Sequence, residues 1–400
     1  MRILAIQETD WIERNPILHH RMLESLALAG DDVTVLDHEI LWHKKGVRPL
    51  VQRRRVVRDV SKFYPGSGVV LIRPAMLRIR GLSRPSWLLM TTVELVRLFR
   101  TARPDVVVAY GLSNALVARL LAALFRVRFV FHIFDVLHAI AEPAYLAPIA
   151  RVVEQAVLRS SRRVIVVHKA LLEYVASMGV RRARVRFIMN GFTSRAIPAQ
   201  RADAVRRRLG IADDEVMVLF IGWLYTFSGL LEIARSLVDG DRYQGYRLVI
   251  AGDGDLLEDL RKVARESTHG DRVSVLGKLP VEEIPDLIAA ADVGLCASDP
   301  SPAMRYVVPS KVDEYLEVGR PVLATRLPGL LAELGEVPSM IWIDGPSFAL
   351  EGLAAALEGH SDRRGRLRDL GEEVRAYGRT RESWETVTAR FRAVLAEDTP

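Results

Sequence analysis

Cysteine is almost absent from this sequence. The 400 residues contain a single one, Cys296, in the apolar run ADVGLCAS. A lone cysteine cannot form an internal disulfide, and without a matching histidine pattern it is more often a core residue than a nucleophile. This usage fits a reducing compartment, and we therefore expect a cytoplasmic protein.

Long uncharged apolar runs are also missing. The longest candidate, VVVAYGLSNALVA, is closed by Asp105 and Arg119 and falls short of the roughly 18 residues that cross a membrane. The opening stretch MRILAIQETDWIERN carries Glu8, Asp10 and Glu13 early, so it is predicted to be a first strand rather than a signal peptide. We expect a protein that is soluble or bound to a membrane surface.

Acidic residues are scarce in the first half of the chain. Residues 1–200 carry 31 Lys and Arg against 15 Asp and Glu, whereas residues 201–400 carry 25 against 34. Half of all residues are hydrophobic and a quarter are charged, which is typical of a folded globular protein. The excess of positive charge predicts an anionic partner for the first half.

Short β-rich runs alternate with helical patterns along the whole chain, which predicts an α/β fold with doubly wound parallel sheets. The pattern restarts after a linker near Pro198. We therefore predict an N-terminal domain over residues 1–198, a second domain over 199–378 and a final amphipathic helix within 379–400. Trp384, Val387, Phe391 and Val394 lie on one face of that helix.

Glycines follow several strands of the second half, at the edge where parallel sheets bind ligands. Gly222 and Gly254 are examples, and ordinary strand-to-helix turns are the alternative explanation. Asp253 and Asp255 lie on such a turn without a further carboxylate or histidine nearby, so we predict no metal site there.

The segment PSKVDEYLEVG, residues 309–319, combines a cation and acids at the start of a predicted helix. Ser310 and Asp313 have the spacing of a capping box. The free amides of that helix start, together with Lys311, suit a phosphate. Glu314 is placed to accept hydrogen bonds from vicinal hydroxyls such as those of a ribose. A solvated helix face is the alternative.

This segment belongs to a longer series of motifs in the second half: FIGW, LVIAGDG, VSVLGKLPVEEIPDLIAAADVGLCAS and PSKVDEYLEVGRPVLATRLPG. The series resembles the donor domain of family 4 glycosyltransferases, and the first half is similar to that family in PDVVVAYG, VIVVHKALLEYVASMGV and FIMNGF. The resemblance spans nearly the whole chain, and residues 277–329 are its most specific part.

The resemblance implies a GT-B fold, with two Rossmann-like domains separated by a deep cleft and a last helix that crosses back to the first domain. It also implies retaining, metal-independent sugar transfer from a nucleotide-sugar, with no other cofactor. Glu314 matches the second glutamate of the family's Glu-x7-Glu motif, which usually binds the donor ribose. Tyr306 stands at the position of the first glutamate.

The family's two basic residues that bind the donor diphosphate are replaced by Trp223 and Ser228, in GWLYTFSG. Other groups must then meet the phosphate charge, and Lys311, Arg305 and the amides near Ser310 are the candidates, with Lys278 less favoured. The predicted donor-binding residues are Gly222, Trp223, Ser228, Gly254, Lys278, Arg305, Tyr306, Ser310, Lys311 and Glu314.

On the acceptor side the family usually has a His-Asp pair after a strand of the first domain. In FVFHIFDVLHAI, Asp135 matches the aspartate, whereas Phe134 stands in place of the histidine. His132 and His138 are possible substitutes, and a satisfied structural histidine is the alternative. His132 and Asp135 are the predicted catalytic residues.

Basic residues cluster in VQRRRVVRDVSKFY and LRIRGLSRPSWLLM. The first stretch has the pattern of an amphipathic helix, which suits an anionic membrane surface, and a solvated helix is the alternative. The predicted acceptor- or membrane-binding residues are Arg53, Arg54, Arg55, Arg58, Arg78, Arg80 and Trp87.

The sequence thus predicts a retaining glycosyltransferase at the inner face of the membrane, which extends a lipid-linked or cell-envelope glycan. A non-catalytic binding or scaffold relative that has lost the diphosphate-binding residues is one alternative. A nucleotide-sugar epimerase of the same shape is another, and the charge asymmetry argues against it. Nucleic acid is not an expected partner, because the basic stretches carry no recognised motif.

Overall fold

The computed structural model describes residues 1–13, 16–39, 49–140, 144–337 and 339–397. The chain forms two compact units: unit 1 comprises Met1–Gly191 and Trp384–Pro400, and unit 2 comprises Phe192–Ser383. Residues 192–198, which the sequence analysis placed in the first domain, therefore belong to unit 2. The reason is that Phe192 is buried in the unit 2 core and its backbone bridges to Ser383.

Unit 1 is built on an eight-stranded sheet in the order β10-β9-β8-β7-β1-β2-β5-β4, with a separate two-stranded sheet of β3 and β6. Every pairing in the large sheet is parallel except β4 with β5. The strands are β1 Arg2–Ile6, β2 Asp32–Leu36, β3 Val51–Gln52, β4 Arg55–Val57, β5 Val70–Arg73, β6 Met76–Leu77, β7 Val106–Ala109, β8 Arg128–Ile133, β9 Arg163–Val166 and β10 Val185–Phe187.

The helices of unit 1 form two layers. Right-handed crossovers from β7 through β10 place α3, α4 and α5 on one face of the sheet, and the reverse direction from β1 to β2 places α1 on the other. The helix α2 packs beside α3, and α3 packs beside α4. These helices are α1 Leu18–Leu28, α2 Ser83–Thr101, α3 Ala115–Leu124, α4 Ala147–Ser160 and α5 Lys169–Ser177.

The amphipathic helix predicted for residues 51–64 is wrong, because this stretch forms the strands β3 and β4 instead. Val56 and Val57 pair antiparallel with Ile72 and Leu71 of β5. β-Branched side chains suit a pleated strand, and the pairing partner is supplied by a segment farther along the chain, which the local pattern does not show.

Unit 2 contains a six-stranded, fully parallel sheet in the order β13-β12-β11-β14-β15-β16. Its strands are β11 Val216–Trp223, β12 Tyr246–Asp253, β13 Val273–Gly277, β14 Val293–Cys296, β15 Val322–Thr325 and β16 Met340–Ile343. Its helices are α6 Ala199–Arg208, α7 Leu230–Val238, α8 Leu257–Glu266, α9 Ile284–Ala290, α10 Lys311–Glu317, α11 Pro328–Leu334, α12 Ala349–Ala356 and α13 Arg363–Gly378. The predicted α/β class with two parallel-sheet domains is confirmed.

The last helix, α14 Trp384–Ala396, belongs to unit 1. Val387, Phe391 and Leu395 are buried in the core that β1, β2 and β7 also line. Arg392 adds an ion pair, with its Nε 2.7 Å from a carboxylate oxygen of Asp31. The periodic apolar face of this segment is therefore used within unit 1, beside α1.

Candidate functional site

The sheet of unit 2 reverses its strand order between β11 and β14, and ligands of open parallel sheets bind beyond the carboxyl ends of such strands. Gly222 near the end of β11 has a φ of +120°, a conformation that side chains rarely adopt. A Cβ at this position would lie 3.4 Å from the Nζ of Lys311. The structure thus brings Gly222 and Lys311 together at the reversal point.

Lys311 is the first residue of α10, and its ammonium group lies over the face of an aromatic ring. Its Nζ is 3.5 Å from the centroid of the Phe220 ring. Desolvation by the surrounding protein lowers the pKa of Lys311 to about 8, although Cys296 and Glu314 oppose the shift. Among the described residues no carboxylate forms an ion pair with it. A partly buried cation without an acidic partner is a suitable site for an anion.

Glu314 follows one turn later on α10 and is exposed to solvent. The surrounding protein and the charge of Glu317 raise its pKa to about 7, while Arg195 opposes the shift. Glu317 itself is engaged, since its carboxylate accepts from the backbone N of Thr193 at 3.1 Å and pairs with Arg195 at 3.0 Å. Asp313, the remaining acid of α10, pairs with Arg381 at 3.5 Å, so Glu314 is the exposed carboxylate of this helix.

The capping box predicted for Ser310 and Asp313 is wrong. Ser310 has helical backbone angles, with φ −59° and ψ −26°, and its side chain makes no capping hydrogen bond. An N-cap residue normally has an extended backbone, which aims its side chain at the first free amides. Ser310 is exposed instead, directly before the seven-residue helix α10.

Aromatic side chains occupy the loop after β11, where the family resemblance places two basic residues. Trp223, Tyr225 and Phe227 are 38 %, 45 % and 38 % exposed, and the rings of Tyr225 and Phe227 stack with centroids 4.6 Å apart. Ser228 is buried, and its Oγ donates to the carbonyl of Tyr225 at 2.6 Å. The prediction that Ser228 binds the donor is therefore corrected, because its hydroxyl is used in a hydrogen bond within its own turn.

The other predicted donor-binding residues differ in their position relative to the strand-order reversal of unit 2. Lys278 directly follows β13, two strands away from β11 in the sheet, so the structure does not bring it to the reversal point. Arg305 is exposed on the 3-10 turn Pro302–Tyr306, with its guanidinium 5.5 Å from the ring of Tyr306. Gly254 has a φ of +152° at the end of β12, and a Cβ there would overlap the backbone of Leu224.

His132 in unit 1 is a core residue, which corrects its prediction as a catalytic residue. The side chain is fully buried, and burial lowers its pKa to about 3. Its ring lies among Tyr110, Phe134 and Phe391, on the side of the sheet that α14 covers. Strand alternation in β8 aims this position at the core rather than at the carboxyl edge.

His138 is better placed than His132 for contact with a ligand. It lies on the 3-10 turn Leu137–Ile140 after β8, and 20 % of its side chain is exposed. Its Nδ1 is 2.9 Å from the buried carboxylate of Glu154 and 3.2 Å from the hydroxyl of Tyr174. The carboxylate fixes the ring, and Nε2 is left as the outer nitrogen. Asp135, two residues beyond β8, is partly exposed on the same connection.

A polar cluster that sequence reasoning missed lies beyond β1 and β7, where the unit 1 sheet reverses its order. Glu8 accepts a hydrogen bond from the Ser113 hydroxyl at 2.6 Å and pairs with Arg84 at 2.9 Å. A Cβ at Gly111 would lie 2.3 Å from Glu8 Cγ, so glycine is required for this contact. The glycine and serine of YGLS after a buried strand were the available signal.

Three of the residues predicted to bind a membrane or acceptor are engaged elsewhere. Trp87 is 1 % exposed, and its Nε1 donates to the carbonyl of Asp37. Arg54 forms a bidentate pair with Glu94, and Arg78 pairs with Glu39 at 2.6 Å. Trp87 is therefore a core residue, which corrects that prediction. Five arginines of the predicted set are exposed: Arg53, Arg54, Arg55, Arg58 and Arg80.

Two family models match this chain. A glycosyl transferase 4-like domain matches residues 19–191, and a glycosyl transferases group 1 domain matches residues 215–357. The first lies in unit 1 and the second in unit 2. Together they cover most of the chain, which therefore belongs to the glycosyltransferases built from these two domains, as the sequence motifs predicted.

Two curated relatives align with part of the chain. An uncharacterized glycosyltransferase of Methanocaldococcus jannaschii is 27 % identical over 188 residues, which is 46 % of this chain and 47 % of the relative. The 2-deoxystreptamine glucosyltransferase of Streptomyces kanamyceticus is 26 % identical over 153 residues, 38 % of each chain. The aligned part thus spans less than half the length of these relatives.

Solved structures show the same fold over the whole chain. HepE of Anabaena, crystallised with UDP, has a TM-score of 0.71 and 16 % identity, and the match covers 99 % of this chain and 100 % of that one. Sucrose-phosphate synthase of Thermosynechococcus elongatus has a TM-score of 0.76 and 17 % identity, with 98 % of both chains covered. The predicted GT-B fold is confirmed.

No helix in the described part of the chain combines the length and the apolar composition of a membrane span. No group of three His, Cys, Asp or Glu side chains among the described residues is arranged to hold a metal ion.

Proposed function

We propose that this protein is a retaining, metal-independent glycosyltransferase that moves a sugar from a nucleotide-sugar to a lipid-linked or cell-envelope glycan. The observation that carries the proposal is Lys311, a partly buried cation at the strand-order reversal of unit 2, with Glu314 one turn away. Its chemistry suits a nucleoside diphosphate, with Lys311 on the phosphates and Glu314 on the ribose hydroxyls.

The donor is a nucleoside diphosphate sugar, and a UDP-sugar is the first candidate. HepE, which shares the fold, was crystallised with UDP and with UDP-glucose. In this chain the Lys311 ammonium lies beside Gly222 at the end of β11, and the exposed aromatic surface of Trp223 and Tyr225 borders the same strand end. We assign these residues, with Arg305 and Tyr306 on their exposed turn, to donor binding.

The transfer itself needs no strong protein base. The acceptor oxygen bonds to the anomeric carbon on the face from which the diphosphate departs, while the bond from that carbon to the phosphate oxygen breaks. The departing phosphate oxygen takes the acceptor proton, and a nucleoside diphosphate leaves. Lys311 stabilises the negative charge that develops on this leaving group, and such electrostatic stabilisation is often the largest contribution to catalysis.

We assign acceptor binding to the connection after β8 in unit 1. Asp135 lies there, and His138 is held by Glu154 so that its outer nitrogen is free to bond a sugar hydroxyl. His138→Ala is expected to raise the KM for the acceptor about 2- to 150-fold while donor binding is unchanged, since one neutral or charge-assisted hydrogen bond contributes about 0.5 to 3 kcal/mol. An unchanged acceptor KM contradicts this assignment.

A second candidate function is supported by one observation, the aromatic loop that replaces the basic diphosphate-binding residues. It is a non-catalytic protein that retains the fold and binds a glycan or nucleotide without turnover. Exposed aromatic rings stack on the apolar faces of sugars, so a binding role does not need the lost cations.

A thermal-shift screen tests both functions. UDP, GDP, ADP, CMP and TDP are each added in the presence of EDTA to the wild type, to Glu314→Ala and to the control Glu266→Ala, whose carboxylate is exposed on α8 of the same unit. A ligand at 100 times its Kd stabilises by about 2.7 kcal/mol, which is readily measured. We expect one nucleotide to shift the wild type and the control but not Glu314→Ala.

Hydrolysis of the matching nucleotide-sugar then separates the two candidates. Slow release of the free sugar, abolished in Glu314→Ala, supports the enzyme. Nucleotide binding without any hydrolysis or transfer supports the non-catalytic protein, and no shift with any of the five nucleotides contradicts the assignment of Lys311 and Glu314.

We also propose that the protein works at the inner surface of the membrane. The support is the excess of positive charge in residues 1–200 and the need of a lipid-linked acceptor for access to a bilayer. The five exposed arginines of the predicted set contribute to this charge, although Arg54 is paired with Glu94. Arg78 is half-buried beside Glu39 and Trp87 is buried, so neither is available in the same way.

A further inference from the structure

Exposed apolar side chains concentrate on one helical layer of unit 1. Of the 21 large apolar side chains that are exposed in the described residues, ten lie between residues 79 and 152. Two on each of three helices are 53 % to 75 % exposed, and we call these six the apolar face: Leu89 and Val93 of α2, Leu120 and Leu124 of α3, and Ile149 and Val152 of α4.

The three helices that carry the apolar face lie side by side. The helix α2 packs on α3 and α3 packs on α4, and the paired positions are three or four residues apart, so each pair shares one side of its helix. With a rise of about 1.5 Å per residue α2 is about 28 Å long, and packed helices are about 10 Å apart. Exposed apolar side chains gathered on three adjacent helices are typical of an interaction surface.

The exposed charges on these three helices have one sign. The acidic residues on α2, α3 and α4 are Glu94 and Glu154, and both are buried in contacts with Arg54 and His138. Exposed arginines border the apolar side chains, including Arg97 and Arg100 on α2 and Arg151 on α4. These helices therefore present apolar groups and positive charge without an exposed carboxylate in the described structure.

The opposite helical layer of unit 1, formed by α1 and α14, exposes few large apolar side chains. On α1 and α14, Leu28 is the one large apolar side chain that is exposed among the described residues. The apolar face thus lies on one helical layer of unit 1 and has no counterpart on the opposite layer of the described structure.

We propose that the apolar face of α2, α3 and α4 docks unit 1 on an anionic lipid surface. The side chains enter the interfacial layer of the bilayer, and the bordering arginines pair with lipid phosphates. A second copy of this chain is a poorer occupant, since a symmetric interface would oppose arginine to arginine. The proposal deepens the lipid-linked acceptor of the proposed function and rests on that part of it.

Co-sedimentation with vesicles of phosphatidylcholine alone, and of phosphatidylcholine with phosphatidylglycerol, tests the proposal on the full chain. We expect binding to the anionic vesicles that weakens at high salt. The double variant Leu120→Asp with Leu124→Asp is expected to lower the partition coefficient at least tenfold. Both positions are exposed, so folding is not at risk. The matched control Leu28→Asp, on the opposite layer, should bind like the wild type.

Other outcomes overturn the proposal. These are equal binding to the two kinds of vesicle, no binding to either, an equal loss in Leu28→Asp, or a dimer in sedimentation velocity that the double variant dissociates. The nucleotide thermal shift is measured on the same samples. Its absence in a wild type that binds vesicles contradicts the proposed donor site and leaves the lipid surface standing, whereas a normal shift without vesicle binding contradicts the lipid surface alone.

Discussion

Replacement of Lys311 by methionine should stabilise the free protein and weaken nucleotide binding at the same time. The environment lowers the pKa of Lys311 from its ordinary 10.5 to about 8, and at about 1.4 kcal/mol per pKa unit this means that the ammonium form costs the fold about 3 kcal/mol. Methionine keeps the apolar stem against Phe220 and removes the charge. At pH 7 we expect Lys311→Met to raise the free energy of unfolding by about 2 kcal/mol, or roughly 5 °C in Tm.

The pH dependence of this stability difference follows from the linkage between protonation and folding. The folded-state pKa of Lys311 lies below the unfolded value, so the folded protein disfavours the proton that the unfolded chain keeps. The cost is fully present below pH 8 and disappears as the pH rises from about 8 toward 10.5. The stability difference between Lys311→Met and the wild type should therefore shrink over that range, as measured by thermal unfolding at a series of pH values.

The Lys311 proton, which destabilises the free protein, should favour nucleotide binding. Charge-assisted hydrogen bonds contribute about 1.5 to 3 kcal/mol, so Lys311→Met should raise the Kd for the nucleoside diphosphate about 10- to 100-fold at pH 7. Above pH 8 the wild-type Kd should rise about tenfold per pH unit, because the ammonium form becomes scarce and the phosphate, with a pKa near 6, no longer titrates. The variant should show no such slope.

Calorimetric titration of the wild type, Lys311→Met and the control Lys262→Met provides the measurement. Lys262 lies on α8 of the same unit and is well exposed, so its loss should change neither Tm nor Kd. A variant that binds within twofold of the wild type at pH 7, or a wild-type Kd that is flat between pH 8 and 10, refutes the reasoning.

Three further predictions concern buried groups and metals. Arg73→Met leaves the carboxylates of Asp10 and Asp37 buried without their cation, which should cost about 3 to 5 kcal/mol, whereas the exposed Arg53→Met should shift Tm by less than about 1 °C. Tyr315→Phe removes a hydroxyl that bonds two backbone groups of β11, and a loss of about 1 to 3 kcal/mol in denaturant unfolding is expected. Sugar transfer should be unchanged by EDTA; loss of transfer that Mg²⁺ or Mn²⁺ restores would contradict the metal-independent assignment.

The donor half of the site was largely predictable, because it is encoded locally. Lys311 and Glu314 lie three positions apart at the start of α10, the helix between β14 and β15, so this helix places both at the same edge of the sheet. The glycine at position 222 marked a backbone conformation with a positive φ, beside which the Lys311 side chain lies. The motif did not show that the Ser228 hydroxyl bonds to its own loop, or that Lys278 follows a strand two positions away from β11 in the sheet.

The acceptor half was predicted less well, because its residues depend on partners that are distant in sequence. His132 and His138 are equally polar in the sequence, yet strand alternation buries one and a 3-10 turn exposes the other. The support of His138 comes from Glu154 and Tyr174 on two later helices.

The sequence by itself determined the α/β alternation, the two parallel sheets and the donor motif, because periodicity and short motifs act through neighbours along the chain. The tertiary structure decided which polar side chains are engaged in ion pairs or hydrogen bonds and which surfaces remain exposed to solvent. Arg54 looks free until Glu94 is brought beside it, and Leu120 and Leu124 look like core residues until the packing of α3 leaves them in solvent. Burial and ion pairing are set by residues far apart in the chain, and so they are known only once the fold has formed.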